Sequence, residues 1–302
     1  MDSQQPYPGL LNAWLSFIRP KTWGVAIAPV IAASALVYLE RKTFDITTAL
    51  ATLALALLMQ ILTNMENDLG YTKRKAEKGN RKGLPRATTN GWISIPEAQN
   101  AIIFTCLLCG IDTLYLMWIG GPVFFLIGLL SAIAAYCYMG GPYPIAYTPW
   151  GEITVLLFFG LIAVCGTYYL QAHILTFNSL LLGIAIGCNA TSVLAVNNWR
   201  DREHDASIHR KTLAVVASKP VFTILFKGVM LTPLIISLYL AWNLQAPFLS
   251  LPVLLVLFLP KIFKGFNTLS GIDLNKVMFS CVKNGLLYAL LFTLGIGLSL
   301  LA

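Results

Sequence analysis

Long apolar runs alternate with polar connections along almost the whole chain. Most runs have the length of about 20 residues that an α-helix needs to cross the hydrocarbon core of a bilayer. They lie near 22–39, 44–63, 101–118, 122–139, 153–171, 179–196, 221–241, 246–260 and 280–301. Inside hydrocarbon a segment has to satisfy its own backbone hydrogen bonds, so helices are the expected form. The pattern predicts a single domain over 1–302, an all-α integral membrane bundle of about nine transmembrane helices.

Composition supports a membrane protein and argues against a soluble one. The chain is 57% hydrophobic and 11% charged, whereas soluble domains carry about 25% charged residues. Arg19 and Lys21 precede the first apolar run, and no small-residue cleavage site follows it, so we expect no cleaved signal peptide. We expect a lipid bilayer around the helices and no nucleic-acid partner.

The positive charges divide unequally between the two sides that nine crossings create. One side receives the N-terminus and the connections at 64–97, 140–152, 197–220 and 261–279. Of the 21 Lys and Arg residues, only Arg41 and Lys42 fall on the other side. Cytoplasmic loops carry the excess of Lys and Arg in membrane proteins. We therefore expect the 64–97 and 197–220 loops, and an active-site cavity between them, to face the cytoplasm.

Two polar stripes begin inside apolar runs on that same side. The first consists of Asn64, Asn67 and Asp68, and the second of Asn197, Asp201 and Asp205. Spacings of three and four residues place each set on one face of a helix. A carboxylate costs about 2.5–3.5 kcal/mol in the hydrocarbon on insertion scales, so such groups usually face a cavity or a partner.

Carboxylates and amides followed by basic residues are typical of a site for Mg²⁺ and a phosphate group. Mg²⁺ prefers oxygen ligands and takes one or two carboxylates together with substrate phosphates. Lys and Arg can bind the remaining phosphate oxygens. The stripes thus predict a diphosphate whose hydrophobic tail lies among the helices. Alternatively, the basic loops are only a topology signal, and Asp201 and Asp205 pair with arginines on a solvated helix end.

Several longer stretches resemble one known family. They are "SFIRPKTW" (16–23), "MQILTNMENDLG" (59–70), "GPYPIAYTPWGEITVLLFFG" (141–160), "YYLQ" (168–171), "NNWRDREHD" (197–205) and "HRKTLAV" (209–215). These segments resemble the UbiA-type intramembrane aromatic prenyltransferases, which have nine helices and two aspartate-rich motifs. The second motif is most similar to that of the 1,4-dihydroxy-2-naphthoate prenyltransferases of the menaquinone pathway.

The resemblance implies a Mg²⁺-dependent transfer of a prenyl chain from a polyprenyl diphosphate to an aromatic acid. In the naphthoate branch the acid is 1,4-dihydroxy-2-naphthoate, which loses its carboxyl group as CO₂. A bacterial inner or plasma membrane is the implied location.

The resemblance also implies roles for individual residues. The catalytic acids are Asp68, Asp201 and Asp205, and they bind metal together with Asn64, Asn67 and Asn197. The diphosphate-binding residues are Lys82, Arg86, Arg200, Arg210 and Lys211. The residues expected near the aromatic substrate or the prenyl cation are Asn198, Tyr143, Tyr147 and Lys21, with Arg19 a further candidate for the aromatic carboxylate.

The chain departs from the family pattern mainly in the first motif. Tyr71 stands where a second acid is expected, and Glu77 and Asn80 stand where Asp is common. His209 replaces a glycine of the second motif. From the sequence we expect Tyr71→Asp to be tolerated or to strengthen Mg²⁺ binding.

Three alternatives remain at this stage. The acceptor could be of the hydroxybenzoate or homogentisate type. The protein could be a transporter, although its acids cluster at helix ends rather than at the membrane midplane, where transporters hold their substrates. It could also be a non-catalytic binder of prenyl lipids.

Overall fold

Helices carry the chain back and forth nine times in the computed structural model, which describes residues 6–76 and 82–302. Within these residues, eight stretches are long and apolar enough to cross a membrane, and the shorter apolar helix Val123–Met139 is the ninth. No β-strand occurs in the described part of the chain. The predicted all-α multi-pass membrane bundle is confirmed.

The helices are numbered here in chain order. They are α1 (Leu10–Ile18), α2 (Gly24–Arg41), α3 (Ile46–Lys73), α4 (Ile95–Gly120), α5 (Val123–Met139), α6 (Gly151–Ala172), α7 (Phe177–Ser207), α8 (Lys219–Asn243), α9 (Pro247–Thr268) and α10 (Leu274–Leu301). The first part of α9, Pro247–Leu257, is a 3₁₀-helix. The run predicted at 246–260 therefore forms part of a longer helical segment.

Polar residues at the ends of the apolar runs set where several helices begin. The Asp45 carboxylate accepts a hydrogen bond from the Thr48 N–H at 2.6 Å and so caps α3. Hydrogen bonds from Thr48 hold the pKa of Asp45 below its usual value. Ser94 and Glu97 form a reciprocal capping box at the start of α4, and Thr176 begins α7 in the same way.

Helix α7 is the most buried of the spans and packs closely against α6. A Cβ atom on Gly160 of α6 would lie 2.4 Å from the Gly183 carbonyl oxygen and 2.5 Å from the Gly187 Cα. Small residues of this kind let membrane helices approach at backbone distance. The same part of α6, Leu156–Ile162, is a π-helix, a form of turn that occurs frequently at functional sites.

The C-terminal ends of α3 and α7 lie at one end of the bundle together with the start of α2, and we call this the motif end. Both helices continue past their apolar runs, α3 to Lys73 and α7 to Ser207. Both polar stripes therefore lie within continuous helices. Their polar side chains have hydrogen-bond partners inside the protein. The remainder of each connection carries the chain to the next helix.

A cavity of about 300 Å³ extends from the motif end into the bundle. Its wall is formed mainly by α2, α3, α5, α6 and α7. Polar residues at its mouth include Asn64, Asn67 and Asn197, whereas Leu116 and Phe124 lie at its opposite, apolar end. On α3 the lining extends from Asn67 to Thr52, which is about 22 Å of helix at 1.5 Å per residue. Such a cavity suits a long apolar ligand with a polar head.

Candidate active site

The two motifs meet at the motif end through contacts between residues far apart in sequence. The His204 Nε2 atom lies 2.9 Å from the Ala76 carbonyl oxygen, which joins α7 to the segment after α3. Arg210, just beyond α7, donates a hydrogen bond to the hydroxyl of Tyr71 on α3. Tyr71, Ala76, His204 and Arg210 are all buried. These contacts join residues next to the two polar stripes, and the assignment of both stripes to one site stays a prediction.

Asp68 of the first motif is wholly buried and binds the connection that follows α3. Its carboxylate accepts hydrogen bonds from the N–H groups of Ala87 at 3.1 Å and Thr88 at 3.0 Å. The Thr88 hydroxyl donates a third at 2.6 Å. The Arg19 guanidinium lies 3.6 Å from the same carboxylate. Asp68 thus holds the 82–94 connection and the corner before α2 against α3.

The two asparagines of the first motif line the mouth of the cavity. The Asn64 amide donates to the Ile18 carbonyl at 3.1 Å and to the Thr22 hydroxyl at 3.2 Å. Asn67 receives a long contact, 3.4 Å, from the Arg86 guanidinium to its side-chain oxygen. Asn64 therefore fixes the corner between α1 and α2, and Asn67 faces the cavity beside a buried cation.

In the second motif the two acids are paired with arginines, and all four side chains are buried. Arg200 makes two hydrogen bonds to the Asp201 carboxylate, at 2.9 and 2.6 Å. Arg210 donates to Asp205 at 2.8 Å. Asp201 is 3% exposed and Asp205 0%, so the alternative of a solvated helix end does not describe this structure. Burial lowers the pKa of Arg210 to about 10, so it remains a cation at neutral pH.

Arg200 connects the second motif to the last helix. Its guanidinium donates to the Asn275 side-chain oxygen of α10 at 2.5 Å and to the Asn197 side-chain oxygen at 2.7 Å. Arg200 and Asn197 both line the cavity. The cation is therefore held on three sides while it faces the space in which a ligand would lie.

Asn198 points to a carboxylate that the sequence analysis passed over. Its amide donates to Glu152 Oε1 at 2.9 Å, and Glu152 is only 6% exposed. Among the described residues, Glu152 Oε2 has no hydrogen-bond donor. Asn198 itself is not part of the cavity lining. A carboxylate at the start of an apolar run was the available signal for Glu152.

The remaining diphosphate candidates differ in exposure. Arg86 is 3% exposed, whereas Lys82 and Lys211 are exposed at the surface of the motif end. The Lys211 N–H donates to the Tyr147 carbonyl at 3.1 Å, which places the start of this lysine next to the 140–150 connection. Glu77 and Asn80 lie outside the described residues.

The aromatic-substrate candidates are distributed over different environments. Tyr143 is 89% exposed. Tyr147 is half-buried beside Arg74 and Arg210, whose Cζ atoms lie 5.6 and 5.5 Å from its ring centroid. Burial raises the pKa of the Tyr147 hydroxyl. Neither tyrosine lines the cavity.

Two cations before α2 also differ. Lys21 is exposed, and its ammonium lies 5.7 Å from the ring centroid of Phe279. Arg19 lines the mouth of the cavity, and its φ of 50° is in the left-handed region. The turn before Pro20 therefore directs Arg19, rather than Lys21, towards the cavity.

His209 explains why a glycine is expected at its position. Its φ of 60° lies in the left-handed region at the end of α7, where glycine carries no penalty. The Arg210 N–H then bonds back to the Asp205 carbonyl at 2.8 Å. This turn brings the Arg210 side chain to Asp205, and the histidine preserves it.

The acids at the motif end suit a metal that is completed by its substrate. Among the described residues, no group of three or more His, Cys, Asp and Glu side chains could hold a metal ion. Mg²⁺ needs only one or two protein carboxylates when phosphate oxygens and water supply the rest. Asn197, Asp201 and Asp205 present their side-chain oxygens on one face of α7. Arg200 and Arg210 already donate to four of these oxygens, so a metal there would share or replace those contacts.

Comparison with known proteins places these features in one family of sequences. The model of the UbiA prenyltransferase family matches residues 26–282. The 1,4-dihydroxy-2-naphthoate octaprenyltransferase of Escherichia coli is 34% identical over 95% of this chain and 96% of that protein. The enzyme of the same name from Haemophilus influenzae is 34% identical over 68% of this chain and 69% of its own length.

Solved structures share the fold. A UbiA homolog from Archaeoglobus fulgidus, bound to GPP and Mg²⁺, superposes with a TM-score of 0.69 over 94% of this chain and 99% of its own. A UbiA homolog from Aeropyrum pernix gives a TM-score of 0.67 over 94% of this chain and 98% of its own. The identities of 15% and 11% restrict this similarity to the architecture.

Proposed function

The chain belongs to the UbiA prenyltransferase family, and from this we propose that it transfers a polyprenyl chain to 1,4-dihydroxy-2-naphthoate in menaquinone biosynthesis. The observation that carries the proposal is the cavity, because it joins a mouth lined by Arg19, Arg200 and three asparagines to an apolar interior. The Escherichia coli enzyme that carries this name matches 95% of the chain. A transporter or a passive lipid binder would not need a carboxylate set matched to a metal diphosphate.

The diphosphate binds at the motif end while its chain occupies the cavity. Arg86, Arg200 and Arg210 supply buried positive charge, and Lys82 and Lys211 add charge at the surface. Asn197, Asp201 and Asp205, together with the first motif, would hold Mg²⁺, which would supply positive charge to the departing diphosphate. The three buried arginines are held in place before the reaction, and such preorganisation lowers the barrier to charge separation.

The aromatic acid takes its place at the mouth of the cavity, with its carboxylate towards Arg19. The allylic carbon–oxygen bond breaks, and the diphosphate leaves with the electron pair. The ring carbon that bears the carboxylate forms the new bond to the prenyl chain. Its bond to the carboxylate then breaks, CO₂ leaves, and the electron pair of that bond returns to the ring. The apolar wall keeps water from the allylic cation.

The active site faces the cytoplasm of a bacterium in this proposal. The connections at the motif end carry most of the positive charge, whereas Arg41 and Lys42 lie at the opposite end. Both substrates then enter from the side on which the basic residues lie.

An assay on the purified full-length protein in lipid nanodiscs tests the function. A polyprenyl diphosphate is supplied with dihydroxynaphthoate, hydroxybenzoate or homogentisate, each with and without Mg²⁺. We expect Mg²⁺-dependent release of diphosphate and of CO₂, with a prenylated 1,4-dihydroxynaphthalene as the product. Prenylation of another acid in its place would reassign the acceptor, and no product with any acid would contradict the enzyme.

A further inference from the structure

Tyr71 lies on α3 three residues after Asp68, where the resemblance led us to expect a second acid. Its side chain is 3% exposed. Tyr71 is therefore a buried residue with contacts of its own, and not an exposed side chain at a position where a metal ligand is missing. Neither the polar stripe nor the mechanism above uses it. Its contacts give it a role of its own.

The face of the Tyr71 ring carries the guanidinium of Arg86. The Arg86 Cζ atom lies 3.5 Å from the ring centroid, which is within the range of a strong cation–π contact. The same guanidinium reaches the carbonyl and side-chain oxygens of Asn67 at 3.3 and 3.4 Å. Tyr71 thus holds Arg86 beside Asn67, which lines the cavity mouth.

The hydroxyl of Tyr71 binds a second guanidinium that comes from the other motif. Arg210 Nη1 donates to it, and the Arg210 Cζ atom lies 5.2 Å from the ring centroid. Arg210 also donates to the Asp205 carboxylate at 2.8 Å and to the Ala146 carbonyl at 3.0 Å. One tyrosine therefore lies between a cation of the first connection and a cation of the second.

A neutral partner has a particular consequence for two buried arginines. A carboxylate at residue 71 would neutralise part of their charge and compete with an incoming anion. The phenol accepts a hydrogen bond from one guanidinium and offers its ring face to the other. It therefore adds no negative charge beside either arginine, and Asp205 stays the carboxylate partner of Arg210.

We propose that Tyr71 is a positioning residue that holds Arg86 and Arg210 for the diphosphate without neutralising either. The inference rests on the proposed function, since it assigns these arginines to the diphosphate of that reaction. It also replaces the expectation that an acid at residue 71 would be tolerated or beneficial.

Inorganic pyrophosphate is the probe, because its binding can be measured without turnover. Calorimetry at fixed Mg²⁺ gives its dissociation constant for the full-length protein and for Tyr71→Phe, Tyr71→Leu and Tyr71→Asp. The control is Tyr288→Phe, which removes another buried phenol hydroxyl, one that accepts a hydrogen bond from Ser237 Oγ at 2.8 Å and donates to the Pro233 carbonyl at 3.2 Å. Tyr288 lies about 21 Å along α10 from Leu274, the first residue of that helix, which adjoins the Arg200 partner Asn275. The control is therefore distant from the motif end. Thermal unfolding and the KM of each substrate are measured in parallel.

We expect Tyr71→Phe to weaken pyrophosphate binding about tenfold, equivalent to about 1.4 kcal/mol, because the hydroxyl that binds Arg210 is lost. The loss should be no larger, because the ring contact to Arg86 survives. Tyr71→Leu should weaken it about 100-fold, and Tyr71→Asp at least tenfold. The KM for the prenyl diphosphate should rise in the same order while that for the aromatic acid changes less than threefold. Tyr288→Phe should leave pyrophosphate binding within twofold of the wild type.

Three results would overturn the inference. Tyr71→Asp could bind pyrophosphate as tightly as the wild type, or need less Mg²⁺ for half-saturation, as a metal ligand would. Tyr71→Phe could lower only the unfolding temperature and leave pyrophosphate binding unchanged. Losses from Tyr71→Phe and Arg210→Lys could add without coupling in the double variant, whereas residues that act together show non-additive effects.

The outcome is separate from the fate of the proposed function. Pyrophosphate binding that depends on Tyr71 in a protein without prenyl transfer would refute the reaction and retain the anion site. Prenyl transfer unaffected by Tyr71→Leu would retain the reaction and refute the role of Tyr71.

Discussion

At the residue scale, Asp68 has two roles. The sequence indicates a metal ligand, and the structure adds an acceptor that holds the 82–94 connection in place. Its carboxylate accepts hydrogen bonds from two main-chain N–H groups and one hydroxyl of the 82–94 connection. That connection also carries Arg86. Loss of the carboxylate would therefore release an arginine of the diphosphate site as well as a predicted metal ligand.

We predict that Asp68→Ala abolishes activity and also destabilises the protein, because buried N–H groups left without an acceptor cost about 1–3 kcal/mol each. Asp68→Asn should be nearly as harmful, since an amide presents a donor where two donors already point. Activity and thermal unfolding in nanodiscs measure the two effects. An Asp68→Ala protein with full activity and an unchanged unfolding temperature would show that neither task is real.

The second prediction at this scale concerns the cation that binds the carboxylate of the aromatic acid. Arg19 lines the cavity and Lys21 is exposed beside Phe279. Arg19→Lys should raise the KM for the aromatic acid at least tenfold and that for the prenyl diphosphate less, because a lysine cannot form the paired hydrogen bonds of a guanidinium. Steady-state kinetics with each substrate varied in turn give the comparison. A larger rise from Lys21→Ala than from Arg19→Lys would return the role to Lys21.

At the element scale, the contact between α6 and α7 sets the position of the second motif relative to the cavity wall. Gly160 lies in the π-helical turn of α6 and touches the backbone of Gly183 and Gly187. Phe158 and Phe159 of the same turn line the cavity. A wider separation of the two helices would shift this wall and α7 together.

Gly160→Ala should therefore lower the stability by about 1–3 kcal/mol, the usual cost of overpacking, and raise the KM for the prenyl diphosphate. Gly110→Ala is the matched control, because a Cβ atom there meets nothing within 4 Å and alanine is the better helix former. Unfolding temperatures and kinetics of the two variants decide the point. Equal behaviour of both variants would mean that the close approach is not needed.

At the scale of the whole molecule, the distribution of charge predicts how the bundle lies in the membrane. Lys264 on α9 and Lys42 after α2 are both exposed and belong to opposite ends of the nine-helix arrangement. The motif end should be cytoplasmic, because basic residues concentrate there.

Single cysteines in a cysteine-free background test this orientation. A membrane-impermeant maleimide applied to intact bacterial cells with a permeable outer membrane should label Lys42→Cys at once. It should label Lys264→Cys only after the inner membrane is opened. The reverse pattern would place the active site on the outer face of the membrane and refute the proposed entry of substrates from the cytoplasm.

The amino-acid sequence by itself determined the helices and the two motifs. Length and hydrophobicity are local properties, and hydrocarbon leaves a spanning segment little choice but to be helical. Asn64 and Asp68 on α3, and Asn197 and Asp201 on α7, were therefore assigned to shared helix faces from spacing alone. The number of crossings and the distribution of charge also predict the side of the membrane on which the motif end lies.

Only the tertiary structure decided which partners these side chains have. The Asp68 carboxylate binds main-chain groups about twenty residues further on, and Asn198 binds Glu152 on another helix. Tyr71 lies between Arg86 and Arg210, the second of which is 139 residues away in the chain. The physical reason is that hydrogen bonds and cation–π contacts act over a few ångströms, so they depend on how the helices pack, which periodicity does not contain.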